Sequence, residues 1–290
     1  MTTFIYGCIL GLLIGGIYAL MASGLALVWG VMRVLNIAQA VFVILGAYLA
    51  FTAFTVFHID PILSIILITP LMFVLGVGLY YIFLRPLKRD RESLSILVTY
   101  ALAIGIEGLL GFFYSTDIRL TETSYVTQSF QFLGIVIPAA EFYGFLISLV
   151  LLAGLQVFLT RTSLGRALRA ATQNPTSATL LGVNTDLVSA VGFGIGVSTA
   201  AAAGAVYGMV YSFNPGSHYD LIGVLLAIVV LGGFGSIGGA VVSALVLGVA
   251  SSLTYVYAPV WSGLTFYAIL VVVLLFRPQG LWGVRNWVAQ

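Results

Sequence analysis

Arg33 is the only charged side chain in the first 59 residues of this chain. The flanking apolar runs, residues 4–29 and about 34–57, are the first of a series that continues to the end of the sequence. A helix needs about 20 apolar residues to cross the hydrocarbon of a bilayer. Only helices and closed barrels satisfy their backbone polar groups there. These runs are too long and continuous for the alternating strands of a barrel. Only 7% of the 290 residues are charged and 61% are hydrophobic, whereas soluble domains run near 25% charged. Charge cannot cover a globule of this size, so the expected fold is an all-α polytopic membrane protein, one transmembrane domain over residues 1–290. No basic stretch precedes the first run, which therefore reads as a retained span rather than a cleaved signal peptide.

Further runs cover residues 61–84, 94–113, 142–159, 187–211, 221–231, 240–256 and 264–276. Lys and Arg accumulate in cytoplasmic loops, which places RPLKRDRE (85–92) and the polar stretch 161–182 inside, within a loop that extends to residue 186. Residues 115–141, with Asp117, Arg119 and Glu122, read as an outer loop carrying a surface helix. Arg277 and Arg285 put the tail inside. The count is nine crossings with the N-terminus outside, or eight if a broken segment re-enters. Residues 25–39 and 221–239 are the interrupted segments, one in each half. Paired broken segments point to a transporter's central site and to an inverted repeat, although no residue-level self-similarity is visible.

Three groups of residues invite a functional reading. In 161–182, Gly165, Arg166, Ala167, Arg169 and Ala170 fall in a short helix-forming stretch that Pro175 terminates. The two arginines are three apart and share a face. This is either a docking element for a soluble partner or a loop held inside by its charge. Glu107 is the one acidic residue deep in an apolar run. It either serves a pathway or closes a hydrogen bond between helices. Asn36 and Gln39 either line a route for a polar solute or tie helices together. Other chemistry lacks its residues. GGFGSIGG (232–239) has no lysine, so it is not a phosphate loop. The single cysteine, Cys8, and the separated His58 and His218 offer neither a disulfide nor a metal cluster. No basic nucleic-acid face and no nucleophile constellation stand out. A conduit with an attachment point and no energy source of its own implies a partner that hydrolyses ATP.

Five segments carry a family resemblance: GGIYALMASGLALVWGVMRVLNIAQAVFVILGAY (15–48), RPLKR (85–89), GRALRAATQNPTSATLLGV (165–183), LGGFGSIGGAVVSALVLG (231–248) and LLFRPQGLWG (274–283). In that order and spacing the chain resembles the permease subunits of bacterial ABC importers for branched-chain amino acids, the first of the two paired permeases. The resemblance implies a multi-pass protein of the bacterial inner membrane, surrounded by lipid. Its partners would be a second permease (a paralogue or a second copy), two cytoplasmic ATPases and a periplasmic solute-binding protein. ATP and Mg would be bound by the ATPases, with no cofactor in this chain. Gly165–Ala170 would fit a cleft on the ATPase, with Arg166 and Arg169 at the contact and Ala167 and Ala170 packing beneath. The family motif often has phenylalanine where Ile37 stands, and His-Gly where Gln39 and Ala40 stand. Glutamine keeps hydrogen bonding without the charge, and alanine lacks glycine's left-handed freedom. If this motif lines the route, it is the place where solute preference would depart from leucine, isoleucine and valine, and relatives move urea, short amides and other small acids or amino acids; branched-chain amino acid uptake stays the leading assignment. The alternative is an ATP-independent secondary transporter or channel using Glu107.

Overall fold

A helix start leaves backbone N–H groups without partners, and a short polar side chain at the boundary accepts one of them. The computed structural model describes residues 2–87, 90–121, 123, 128–132, 135–277 and 279–282. Five helices in it begin on such caps. Asp60 accepts from Ile62 at the start of α3 (Pro61–Leu79), and Thr162 from Gly165 at the start of α6 (Ser163–Gln173). Asn174 opens α7 (Pro175–Leu180), Asn184 opens α8 (Thr185–Val210), and Ser236 opens α10 (Ile237–Tyr257). The remaining helices are α1 (Thr2–Met32), α2 (Gln39–Phe57), α4 (Arg91–Tyr114), α5 (Ala139–Arg161), α9 (His218–Gly232) and α11 (Ser262–Phe276). A π-helical turn, Tyr80–Leu84, carries α3 onward to Arg85. Among the described residues nine helices are long and apolar enough to cross a membrane, all but α6 and α7. The protein is an all-α, multi-pass membrane protein.

Two expectations are corrected. The outer loop carries no surface helix among its described residues. It holds a two-stranded antiparallel hairpin, β1 (Ser129–Phe132) and β2 (Ile135–Pro138), with Phe130 opposite Ile137 and Gln131 opposite Val136. Aromatic and β-branched residues favour strands, and β2 leads directly into α5, so Glu141 sits in that helix's first turn. The second span starts at Gln39, not at residue 34. Lys88, Arg89, Glu122 and Arg285, used in the charge argument, lie outside the described residues.

Helix α8 forms the centre of the bundle and packs against α1, α2 and α3. Its buried residues are nearly all Gly, Ala, Ser or Val. Small residues let helix backbones approach closely in a membrane, where packing replaces the hydrophobic effect as the source of association. Gly46 of α2 lies on the backbone of Ala201, and Gly204 lies on the carbonyl of Val43. A Cβ at either position would overlap main chain. Helix α1 lies along α10 in a similar way, while α11 is mostly exposed at the rim.

Both interrupted segments are real breaks. Helix α1 ends at Arg33, which takes a left-handed conformation (φ 52°) while its N–H bonds Trp29. Residues 34–38 then run back beside α1 without helical structure, and α2 starts at Gln39 next to the carbonyl of Met21. Met21 precedes the end of α1 by eleven residues, or about 16 Å of helix. Helix α2 therefore begins inside the bundle. Between α9 and α10, Gly233 and Gly235 take φ values of 90° and 79° that side chains disfavour. The two breaks meet. A Cβ on Gly30 would stand 3.2 Å from the Gly235 Cα, and the Trp29 and Phe234 rings lie 4.6 Å apart.

Candidate functional site

The described arginines divide unequally between the two ends of the bundle. Arg33, Arg85, Arg91, Arg161, Arg166, Arg169 and Arg277 stand at the end reached by α1, α3, α5 and α11, and only Arg119 stands at the other. Helix α6 lies across this basic end. Gly165, Leu168 and Ala171 form its buried face, and a Cβ on Gly165 would overlap the Phe158 carbonyl of α5. Arg166 and Arg169 are exposed, while Ala167 and Ala170 are half-buried on its flank. The sequence pattern thus finds the helix and its outward arginines. It misses Leu168 and Ala171 as the seated residues, although their spacing from Gly165 marks a helix face. Thr172, one turn on, would touch a Cβ on Gly30 at 2.9 Å. Arg169 and Thr172 also border a cavity of about 220 Å³ together with Leu27 and Gly235. The short helix therefore rests where the two breaks meet.

Asn36 and Gln39 are fully buried at the start of α2 and bond each other, Asn36 Nδ2 donating to Gln39 Oε1 at 3.1 Å. Gln39 Nε2 donates to the carbonyls of Gly196 (3.1 Å) and Met21 (3.4 Å). This amide joins α1, α2 and α8, a task for two N–H donors that a neutral imidazole, with one, cannot match. Gly24 leaves the room it needs, since a Cβ there would stand 2.8 Å from Gln39 Nε2. Ala40 is helical, so glycine's left-handed freedom has no use at that position. From α4, Thr99 Oγ1 accepts the Ile37 N–H (3.2 Å) and lies 3.2 Å from the Leu35 carbonyl, while its one proton goes to the Ser95 carbonyl at 2.8 Å, so it serves the unwound backbone as an acceptor. The structure does not bring Glu107 to this cluster.

Glu107 lies farther along α4 toward the opposite end, where the start of α9 meets it. Tyr219 donates its hydroxyl to Glu107 Oε2 at 2.8 Å. His218 is buried, and its Nδ1 lies 3.0 Å from the Pro215 carbonyl. A carbonyl only accepts, so Nδ1 carries a proton. Nε2 then faces Glu107 Oε2 at 3.9 Å, within ion-pair range once the imidazole is charged. The Glu107 side chain is 25% exposed and Tyr219 is 50% exposed, so the group sits on the lateral surface of the chain. The basic partner missing from its own span comes from 111 positions later, where no sequence signal points to it. Among the described residues no three His, Cys, Asp or Glu side chains gather as a metal site.

Comparison with known proteins fits this architecture. The family described as "Branched-chain amino acid transport system / permease component" matches residues 8–274. The high-affinity branched-chain amino acid transport system permease protein BraD of Pseudomonas aeruginosa is 30% identical over 288 residues, covering 94% of each chain. The corresponding LivH protein of Salmonella typhimurium is 27% identical, over 94% of this chain and 93% of its own. A probable branched-chain amino acid transport permease protein LivH of Methanocaldococcus jannaschii is 30% identical, over 91% of this chain and 88% of its own. No solved structure matches the chain. Matched along nearly its whole length, this chain belongs to the family of branched-chain amino acid transport system permease components.

Proposed function

We propose that this chain is the membrane-spanning permease subunit of an ATP-driven importer for branched-chain amino acids or a related small polar solute. It resides in the bacterial inner membrane with its basic end in the cytoplasm, as the distribution of arginine favours. A second permease, either a paralogue or another copy, completes the core. A periplasmic protein delivers the solute to the outer face. Two ATPases, carrying ATP and Mg, bind the inner face through α6, with Arg166 and Arg169 at the contact, Ala167 and Ala170 on its flank, and Gly165 seating the helix on α5 rather than meeting the ATPase. Catalysis belongs to those partners, and this chain supplies the route.

The observation that carries this reading is the seat of α6. Its outer face presents Arg166 and Arg169, and its inner end, at Thr172, presses on Gly30, which in turn meets Gly235 where both breaks converge. A load applied to the arginines by a closing ATPase would reach the end of α1 directly at Gly30 and, through Gly30, the Gly235 turn that precedes α10. The test is Arg166→Glu with Arg169→Glu, coexpressed with the ATPases encoded beside the gene. Copurification of the ATPases and solute-stimulated hydrolysis should fall at least tenfold, about the effect of losing two charged contacts, with the chain still monodisperse. Undiminished association would remove α6 from the interface. Uptake without ATP by the purified chain would instead establish the secondary-transporter reading and bring Glu107 to the centre.

A further inference from the structure

A second cavity at the basic end has no part in this scheme. It measures about 520 Å³ and lies between the ends of α1 and α4, the π-helical turn, the start of α8 and the α6–α7 segment. Sites for small molecules run from about 300 to 1,000 Å³. Two guanidinium groups line it, Arg33 and Arg91, against one acid, Asp186. Asp186 is already engaged on both oxygens, by the Tyr80 hydroxyl at 2.9 Å and by Arg85 Nε at 3.1 Å. Arg91 is less well served. Its Nη2 reaches the Tyr80 hydroxyl at 3.4 Å, and its Nε is buried without a hydrogen-bond partner among the described residues. Val31, Met32 and Leu180 make part of the remaining wall aliphatic.

A buried donor without an acceptor is unfavourable, and a guanidinium fork matches the paired oxygens of a carboxylate or phosphate. The geometry points to a binding site for an oxyanion carried on a partly aliphatic ligand, held by Arg91 with Arg33 at the rim. Two ligands share that chemistry at a cytoplasmic face. One is the free carboxylate of a branched-chain amino acid arriving at its exit. The other is the phosphate of an anionic inner-leaflet lipid. The first rests on the proposed transport role and the second does not. Because α6 and α7 form one wall, occupancy of either kind would bear on the segment that receives the ATPase.

The experiment uses the full chain in nanodiscs of phosphatidylcholine, with and without phosphatidylglycerol. Binding of radiolabelled leucine and retention of phosphatidylglycerol by native mass spectrometry are the readouts. Wild type should bind one of these probes saturably, and Arg91→Gln should weaken that binding about tenfold or more. Arg91→Lys should fall between them, and Arg277→Gln, which removes a charge at the same face outside the cavity, should match wild type. Should Arg91→Gln fail to fold, Arg33→Gln at the exposed rim decides. Leucine binding lost in the variants identifies the carboxylate as the ligand. Phosphatidylglycerol retention lost in the variants identifies the lipid. Absence of both in wild type, or binding that the arginine variants leave unchanged, overturns the site. Uptake by the assembled transporter, measured separately, reports on the transport role whatever the outcome here.

Discussion

Helices α8 and α4 are alike in length, 26 and 24 residues, yet they are held in the bundle by different means. Helix α8 is joined through main chain. Its glycines and alanines let α1, α2 and α3 settle on its backbone, and 18 of its 26 residues are buried. Helix α4 is joined through polar side chains set seven or eight residues apart. Arg91 meets Tyr80, Thr99 meets Leu35 and Ile37, Glu107 meets Tyr219, and Tyr114 meets Thr52 at 2.6 Å. Between α3 and α4 an apolar groove of about 760 Å³ is left open. Interhelical hydrogen bonds in membranes average about 0.6 kcal/mol and reach about 1.7. Displacing α8 means rebuilding the core, whereas shifting α4 costs a handful of such bonds. The first is a frame and the second is an element that can move upon it.

The sharpest test inserts the same side chain in both helices. Gly204→Leu drives atoms into the Val43 carbonyl, and overpacking against main chain exceeds the usual cost of about 1–3 kcal/mol. The variant should yield no monodisperse protein in detergent. Gly108→Leu on α4, where nothing lies within 4 Å, should behave as wild type. Equal tolerance of both would end the comparison. A smaller effect is expected for Thr99→Val, which keeps the shape of the side chain but takes the acceptor from the Ile37 N–H. A loss of about 1–2 kcal/mol is expected, with faster hydrogen exchange in residues 33–38 and α4 and none of the increase in α8. Uniform change in both helices would show that α4 is not separately hinged. The least effect belongs to Glu107→Gln. The amide still accepts from Tyr219, so stability should drop by less than about 1 kcal/mol and uptake should persist. A folded Glu107→Gln that carries no solute would mean that the carboxylate has a role beyond holding α4.

What the sequence discloses follows the range of the forces involved. The spans are legible because hydrophobicity is local, and the limits of α6 are legible because Thr162 caps its start within three residues and Pro175 follows its end. The start of α2 is not. Residues 34–38 are as apolar as a helix, and the bonds that hold this unwound course and the start of α2, Ile37 to Thr99 and Gln39 to Gly196, reach across 62 and 157 positions. The same distance hides the purpose of the intramembrane polar groups. Asn36, Gln39 and Glu107 stand out as costly residues, but their partners lie on helices that composition cannot pair. The hairpin at 129–138 escapes notice because two four-residue strands carry too little pattern to compete with the long helical runs around them.

The lengthwise packing of α1 on α10 has a consequence for biosynthesis. Gly11 and Gly15 of α1 press on the backbone of Val249 and Leu245, yet α10 begins 205 residues after α1 ends, at Ile237 against Met32. At about 5–20 residues per second, the first helix waits roughly 10–40 s in the bilayer before its principal neighbour leaves the ribosome. During that interval its glycine face has only lipid or a chaperone to rest on. A chain truncated before α10 would insert most of its helices and still lack the contact that fixes the first of them.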